Sequence, residues 1–382
     1  MLPYSKQKIS STDINNVIKV LKSDFLTQGT SVPRFEKKIL NCVKSKFGFA
    51  VQNASCALML SCQALGLEKN DIAWTTPNSF VATANCIKHF DGIIDFVDID
   101  PLSYNISIQE LEKKLVKAKK QNKIPKILIT VHLGGQPTLQ EKIWKLSRIY
   151  KFKIIEDASH SLGASRKNEP VGSCKWSDLT VFSFHPVKII TTAEGGFITT
   201  NRKYLALKIE MLRNNGITKD NKKFYSKKNI SEVYYEQQML GFNFRMSDVH
   251  AAIGISQIDK LKSNILERNK LAINYYKLFK DSGIGFQKID NLSISSFHLF
   301  IIKVKNNIKL ISHLRKHKIL ANVHYYPIHL HPYYKKLGFK KGDFPNAEIY
   351  SSQAISIPLF LGLKKSQQLY VVEIIKNFSR VL

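Results

Sequence analysis

Long apolar runs are missing from this sequence of 382 residues. No stretch of about 18 consecutive apolar residues occurs, so the sequence predicts no membrane-spanning helix. The first residues, MLPYSKQKISSTDINNV, are polar and lack the apolar core of a secretory signal. From both absences we expect a cytoplasmic protein that has no membrane partner.

Cysteine is scarce, and its five positions are scattered without a C-x-x-C pair. Isolated cysteines in a chain without a secretory signal are typical of reduced thiols. A zinc site would need tighter clusters, and His329 with His331 in HLHP gives only weak support for a metal, so we expect none. The motifs of a P-loop, a dinucleotide-binding turn and a nucleophilic serine elbow are also absent.

Acidic residues are few: 29 Asp and Glu stand against 58 Lys and Arg, which gives a net charge of +29. A charge of this size raises the question of nucleic-acid binding. The lysines are spread along the whole chain, however, and their densest groups lack the aromatic residues of base-stacking modules. We therefore expect no nucleic-acid partner. The charge either attracts an anionic substrate or reflects the composition of the source genome.

Short apolar runs alternate with amphipathic stretches over the first two-thirds of the chain. Continuous apolar strands that alternate with helices are typical of a mostly parallel sheet covered on both faces. The predicted fold class is therefore α/β, with ligands bound beyond the carboxyl ends of the strands. Strands are expected at residues 93–97, 126–132, 152–156, 178–184 and 196–200, and helices at 108–120, 139–150 and 202–214.

The pattern changes after about residue 245. A long helical stretch at 247–278, a strand at 297–304 and a helix at 309–317 indicate a smaller α+β domain. A chain of 382 residues also exceeds what one core usually holds. We expect a large domain over residues 1–245 and a small C-terminal domain over 246–382, packed together because no flexible linker joins them.

Three segments carry residues of chemical interest. IIEDASHSLG at 154–163 is an apolar strand that ends in carboxylates, where Asp157 is either a ligand-binding group or an ordinary helix N-cap. VFSFHPVKIITTAEGG at 181–196 places Lys188 among apolar residues. Partial burial would lower its pKa, as a nucleophilic amine needs, although the local pattern alone favours a packed, snorkelling lysine. NASCAL opens an apolar helix that either binds a phosphate at its N-terminus or is simply capped by Asn53.

Taken in order, these segments resemble the DegT/DnrJ/EryC1/StrS family of sugar aminotransferases. The resemblance extends through TTPNSFVATAN, VDIDP, VHLGGQP, LRNNGI, GFNFRMSDVHAAIG and VHYYPIHLHPYY, and covers nearly the whole chain. It implies fold type I, with a mostly parallel central sheet in the large domain, and pyridoxal 5'-phosphate (PLP) as cofactor. FSFHPVK followed by TTAEGG resembles the branch that aminates carbon 4 of a UDP-linked 4-keto-6-deoxy-N-acetylhexose with glutamate, for pseudaminic-acid-type surface glycans or flagellin.

The family pattern implies a role for each matched position. Lys188 matches the lysine that binds PLP covalently, and Asp157 matches the carboxylate beside the ring nitrogen. His160 falls at the position that contacts the ring hydroxyl, and Phe80 at the aromatic that stacks on the ring. The other implied cofactor contacts are Ser55, Cys56 and Ser183 at the phosphate and Asn243 from the other subunit of a homodimer. The implied substrate contacts are Thr27, His185, His324, Tyr325 and His329.

The chain departs from the family at the phosphate loop, where Ala54 and Ser55 replace the usual Gly-Thr and Cys56 replaces a hydroxyl or small residue. Backbone N–H contacts to a phosphate survive both changes, so only the role of Cys56 is in question. Two alternatives stay open: an aminotransferase for another nucleotide-linked keto-sugar, with a 3-keto group or a dTDP or GDP carrier, and a non-catalytic sugar-nucleotide binder. The retained Lys188 and Asp157 favour an enzyme, because a binder needs neither.

Overall fold

The computed structural model describes residues 1–225 and 233–380, except for the side chains of 379 and 380. The strands are β1 (Phe47–Val51), β2 (Ile72–Thr75), β3 (Ile93–Phe96), β4 (Ile127–Val131), β5 (Lys153–Asp157), β6 (Ser165–Arg166), β7 (Glu169–Pro170), β8 (Leu179–Ser183), β9 (Gly196–Thr200), β10 (Ile217–Thr218), β11 (Glu236–Gln237), β12 (Gly285–Phe286), β13 (Ser293–Ile294), β14 (Phe300–Lys303) and β15 (Ala354–Ile357). The helices are α1 (Ser11–Leu21), α2 (Ser31–Val43), α3 (Ala54–Ala64), α4 (Ala82–Lys88), α5 (Ile108–Lys120), α6 (Gln140–Tyr150), α7 (Lys203–Leu212), α8 (Asp248–Asp259), α9 (Leu261–Leu278), α10 (Asn307–Lys316), α11 (Pro332–Lys335), α12 (Pro345–Gln353) and α13 (Lys365–Arg380).

Seven strands form the central sheet, in the order β1-β9-β8-β5-β4-β2-β3. Neighbouring strands are parallel except at β9, which runs antiparallel to both β1 and β8. Every residue of β4 is buried, as expected for an apolar strand covered on both faces. The structure therefore confirms the predicted α/β class with its mostly parallel sheet.

Helices cover both faces of this sheet. On one face, α3, α4 and α7 bury side chains such as Leu58, Ile87 and Ile209 against the strands. On the other face, α5 and α6 pack at one end of the sheet, and α2 and α8 pack at the other. Alternate residues of β4 point to the two faces of the sheet, with Leu128 on one face and Ile129 on the other.

A second core surrounds the antiparallel sheet β12-β14-β15 and includes residues of α9, α10 and α13. The division between the two cores falls within α9, because Ile265 packs in the core of the central sheet and Leu271 in the second core. The preceding helix α8 packs on α1 and α2 and belongs to the core of the central sheet. We therefore propose that the domain boundary lies between Ile265 and Leu271, later than the residue 245 expected from the sequence.

The helical stretch predicted at 247–278 is two helices, since Lys260 separates α8 from α9. The Lys260 amine donates to the Ser10 hydroxyl (2.5 Å) and lies 3.3 Å from the Asp13 carboxylate, so the break faces the start of α1. Across residues 1–225 and 233–380, no helix is both long and apolar enough to span a membrane.

Candidate active site

Three segments of the chain meet at one edge of the central sheet. Asp157 is the last residue of β5 and Ser183 the last of the neighbouring parallel strand β8. Strand β1 ends at the same edge, and helix α3 begins at Ala54, three residues after the last residue of the strand. A cavity of about 580 Å³ opens there, and the second domain closes it with residues 322–325. This is the position beyond the strand ends where the sequence predicted a ligand.

Lys188 lies on the turn that follows β8 and lines this cavity. Its backbone N–H donates to the carbonyl of His185 (2.9 Å), and the Ser5 hydroxyl donates to the carbonyl of Val187 (2.9 Å). Burial lowers the pKa of the Lys188 amine from 10.5 to about 8, although the nearby Asp157 carboxylate opposes this shift. At pH 7 about a tenth of this amine is therefore uncharged and nucleophilic, far more than for a lysine of ordinary pKa.

The Asp157 carboxylate is buried and receives three hydrogen bonds. The Thr83 hydroxyl donates to Oδ2 (2.7 Å), while the Ser159 hydroxyl (2.6 Å) and backbone N–H (3.1 Å) both donate to Oδ1. Such donors stabilise the ionised form of a buried carboxyl group. Asp157 can thus present a fixed negative charge to a cationic group in the cavity.

His160 is a neutral hydrogen-bond donor on the cavity wall. Burial, followed by the proximity of Lys188, holds the pKa of its imidazole well below the usual value. Its Nδ1 accepts from the Gly134 N–H (3.3 Å), which leaves the ring proton on Nε2, 3.0 Å from the Tyr325 hydroxyl. The His298 ring lies behind it, with the two ring centroids 4.4 Å apart.

The second domain contributes His324 and Tyr325. The ring Nδ1 of His324 lies 2.8 Å from the Ser356 hydroxyl, and burial lowers the pKa of this histidine to about 3. The Tyr325 N–H donates to Asn78 Oδ1 (3.1 Å), which joins the loop to the central sheet. The Tyr325 ring lies 6.1 Å from that of Phe80, and burial raises the pKa of its hydroxyl. Both side chains are therefore uncharged at neutral pH.

The first turn of α3 provides backbone N–H groups at the cavity. Asn53 caps the helix, since its side chain accepts from the Cys56 N–H (2.9 Å), and Ala54 and Ser55 line the cavity. The turn sits close to Gly196, where an added Cβ would lie 2.3 Å from the Asn53 carbonyl oxygen. Free N–H groups and the positive end of the helix dipole suit a phosphate.

The structure brings together most of the side chains predicted from the sequence. The predicted residues that line the cavity are Ser55, Phe80, Asp157, His160, Ser183, His185, Lys188, His324 and Tyr325. In the described part of the chain, no group of three or more His, Cys, Asp or Glu side chains could hold a metal ion.

Four predicted residues do not line the cavity of this chain. The His329 ring is buried against Phe96 and Phe344, and its Nε2 lies 3.0 Å from Glu348 Oε1, so it faces another part of the core. The thiol of Cys56 is buried, and burial raises its pKa to about 11. The backbone N–H of Cys56 donates to the capping side chain of Asn53. Thr27 and Asn243 are exposed on the surface outside the cavity.

Other residues at the cavity escaped the sequence analysis. Ser79 and Thr83 lie within the quoted TTPNSFVATAN, but nothing local indicates that they approach Asp157, 74 residues from Thr83 in the chain. Ser159 could have been found, because a serine two residues after an aspartate commonly bonds its carboxylate. Tyr4 and Glu194 also line the cavity, and no sequence signal distinguishes them.

Comparison with known proteins relates the whole chain to one family. The pattern of the DegT/DnrJ/EryC1/StrS aminotransferase family matches residues 7–376. The UDP-4-amino-4,6-dideoxy-N-acetyl-beta-L-altrosamine transaminase of Campylobacter jejuni is 36% identical over 364 residues, which are 94% of this chain and 92% of that protein. Helicobacter pylori PseC, an aminotransferase involved in the biosynthesis of pseudoaminic acid, has a TM-score of 0.90 and 28% identity over 100% of both chains. The PMP form of Streptococcus pneumoniae Spr1654, a candidate sugar aminotransferase, has a TM-score of 0.91 and 26% identity, again over 100% of both chains.

Proposed function

Because the chain belongs to the DegT/DnrJ/EryC1/StrS aminotransferase family, whose members depend on PLP, we propose that the cavity around Lys188 and Asp157 is its active site. The protein is a PLP-dependent aminotransferase that acts on a nucleotide sugar.

The residues at the cavity fit PLP. The volume of about 580 Å³ lies in the usual range for small-molecule sites. The N-terminus of α3 can bind the phosphate through its N–H groups, together with the Ser55 and Ser183 hydroxyls. Asp157 would bond the protonated ring nitrogen, and Lys188 offers an amine of lowered pKa for the covalent link. Phe80 would stack on the ring, and the Nε2–H of His160 would donate to the ring hydroxyl.

Within this site each side chain has a distinct task. When bound, PLP supplies the electron sink of the reaction. Lys188, with a pKa of about 8, would take the proton from the α-carbon of glutamate and deliver it to the bound cofactor, and not back to the same carbon. The Asp157 carboxylate would favour a protonated ring nitrogen. His185, His324 and Tyr325 line the same cavity, and we propose that they contact the sugar nucleotide.

We infer that the substrate is a UDP-linked 4-keto-6-deoxy-N-acetylhexose, aminated at carbon 4 with glutamate as donor. One observation carries this inference: the 36% identity, over 94% of the chain, to a transaminase named for a UDP-linked 4-amino-4,6-dideoxy sugar. The product would be a 4-amino sugar nucleotide for pseudaminic-acid-type surface glycans or flagellin.

The substrate assignment can be tested in two half-reactions. Glutamate should convert the PLP of the purified enzyme to its amino form, which changes the visible absorbance. A panel of keto-sugars is then added: the UDP-linked 4-keto-6-deoxy-N-acetylhexose, its 3-keto isomer, and dTDP- and GDP-linked 4-keto sugars. We expect the first to restore the original spectrum with a kcat/KM at least about ten-fold above the others. Preference for a 3-keto, dTDP or GDP compound would contradict the assignment.

We also propose a homodimer in which Asn243 completes the site of the partner. Asn243 is exposed and lies outside the cavity of its own chain, and the apolar side chain of Leu240, three residues before it, is 81% exposed. Thr27 is exposed on the same chain and would reach the partner in the same way. In a symmetric dimer each subunit would donate these residues to the other.

Mixing two inactive variants tests this arrangement. Lys188→Ala and Asn243→Ala subunits are unfolded together and refolded as a mixture, each variant alone serving as control. One site of each hybrid dimer is then intact, so we expect about a quarter of wild-type activity from random assortment. Sites built from a single chain would leave the mixture no more active than its components.

A further inference from the structure

We propose that Thr83 is a positioning residue that orients Asp157 through a chain of two hydroxyl groups, from Ser79 to Thr83 to the carboxylate. The inference deepens the proposed function and rests on the assignment of Asp157 to the ring nitrogen. Thr83 and Ser79 have no other chemical task among the roles set out above.

The direction of the hydrogen-bond chain is fixed by its last member. Ser79 Oγ and Thr83 Oγ1 are 2.7 Å apart, and Thr83 Oγ1 is 2.7 Å from Asp157 Oδ2. An ionised carboxylate can only accept, so the single proton of the Thr83 hydroxyl must point to Asp157. Thr83 must then accept from Ser79. Both hydroxyl groups are buried, so water does not easily replace either bond.

Counting acceptor positions shows what Thr83 determines. A carboxylate offers about four positions to donors, two on each oxygen. Ser159 takes two on Oδ1, through its hydroxyl and its N–H, and Thr83 takes one on Oδ2. The position left for a ring N–H is therefore on Oδ2, the oxygen that Thr83 holds. Without the Thr83 hydroxyl, Oδ2 would lose the bond that fixes its orientation.

The same turn also fixes the aromatic expected to stack on the ring. The Thr83 N–H donates to the carbonyl of Phe80 (3.1 Å), and the Cys86 thiol donates to the carbonyl of Thr83 (3.2 Å). Thr83 thus links α4 and Phe80 to the end of β5. One residue therefore contacts both groups: its hydroxyl bonds the carboxylate that would bind the ring nitrogen, and its backbone N–H bonds Phe80, which would stack on the ring.

The test compares Thr83→Val, which keeps the shape and removes the hydroxyl, with Thr83→Ser, which restores it. For Thr83→Val we expect a PLP dissociation constant about ten-fold higher and a kcat about ten-fold lower, since one hydrogen bond to a charged group is lost. Thr83→Ser should stay within about three-fold of wild type. The control is Thr75→Val, which removes a buried hydroxyl that donates to Ile129 (2.9 Å) and does not contact Asp157; its PLP affinity should be unchanged.

A coupling measurement separates a hydroxyl chain from general loss of packing. Ser79→Ala should weaken PLP binding about three-fold in the wild-type background and have no further effect in Thr83→Val, because Ser79 acts through Thr83. Additive effects would overturn the chain, and so would wild-type affinity in Thr83→Val. The Asp157→Asn variant separates a failure of the Thr83 role from a failure of the Asp157 assignment. If neither Thr83→Val nor Asp157→Asn changes PLP affinity, the assignment of Asp157 fails. If Asp157→Asn weakens PLP binding and Thr83→Val does not, only the role of Thr83 fails.

Discussion

The uncharged amine of Lys188 should control how fast the apoenzyme captures PLP. With a pKa of about 8, half of this amine is neutral at pH 8 and nearly all of it at pH 9.5, so the capture rate should rise only about two-fold over that interval. A lysine of ordinary pKa 10.5 would gain roughly 30-fold in neutral amine over the same interval. Stopped-flow absorbance of PLP mixed with apoenzyme measures the rate directly.

Two controls make this measurement specific. The Lys188→Ala apoenzyme gives the contribution of all other lysines to the capture rate. The reaction of PLP with Nα-acetyl-lysine, whose side-chain amine is free, gives the pH dependence of PLP itself. Asp157→Asn should move the levelling of the rate to lower pH, because the carboxylate favours the charged amine. A corrected rate that still climbs tenfold per pH unit up to pH 9.5 would refute the buried, low-pKa amine.

Further predictions concern stability and rate. Lys188→Met should raise the free energy of unfolding of the apoprotein in urea by about 3 kcal/mol at pH 7, because the native wild-type protein bears the cost of a buried charge at that pH. The gain should shrink between pH 8 and 10.5, and a pH-independent effect would contradict the pKa of about 8. Asp157→Asn should keep the fold and lower kcat at least about ten-fold in the glutamate half-reaction; near-normal turnover would count against its role. Gly196→Ala should lower the free energy of unfolding by about 3 kcal/mol, since its Cβ would meet the Asn53 carbonyl at 2.3 Å, and an unchanged urea midpoint would show that the turn can shift.

Regular periodicity made parts of the fold predictable. The helix at 108–120 and the strand at 196–200 have the predicted bounds, because the first has a clear amphipathic repeat and the second is a short apolar run. The stretch at 247–278 has one helical pattern but two helices. At the break Lys260 contacts Ser10, which is distant in sequence. Such a contact leaves no trace in local periodicity.

The candidate site, like the fold, was only partly predictable from the sequence. The cavity brings Lys188 and Asp157 together because β5 and β8 are parallel neighbours. The apolar strands predicted a mostly parallel sheet, but not which strands pair. The order of the motifs along the chain does not show which way a side chain faces. His329 belongs to the motif VHYYPIHLHPYY, but its ring faces Glu348 and not the cavity. Thr83 was missed for the opposite reason. Its contact with Asp157 exists only when the fold brings the start of α4 to the end of β5, and a threonine at the start of a helix is otherwise unremarkable in sequence.

We propose that Lys188 is the residue that holds PLP and carries the reaction. Borohydride reduction of the PLP-loaded enzyme makes the link between cofactor and lysine permanent, and mass spectrometry of the digested protein then locates it. We predict a phosphopyridoxyl group on Lys188 at close to one per chain, and none there when glutamate is added before the borohydride. A label on a different lysine, or a Lys188 peptide that stays unmodified while the enzyme is active, would contradict the account.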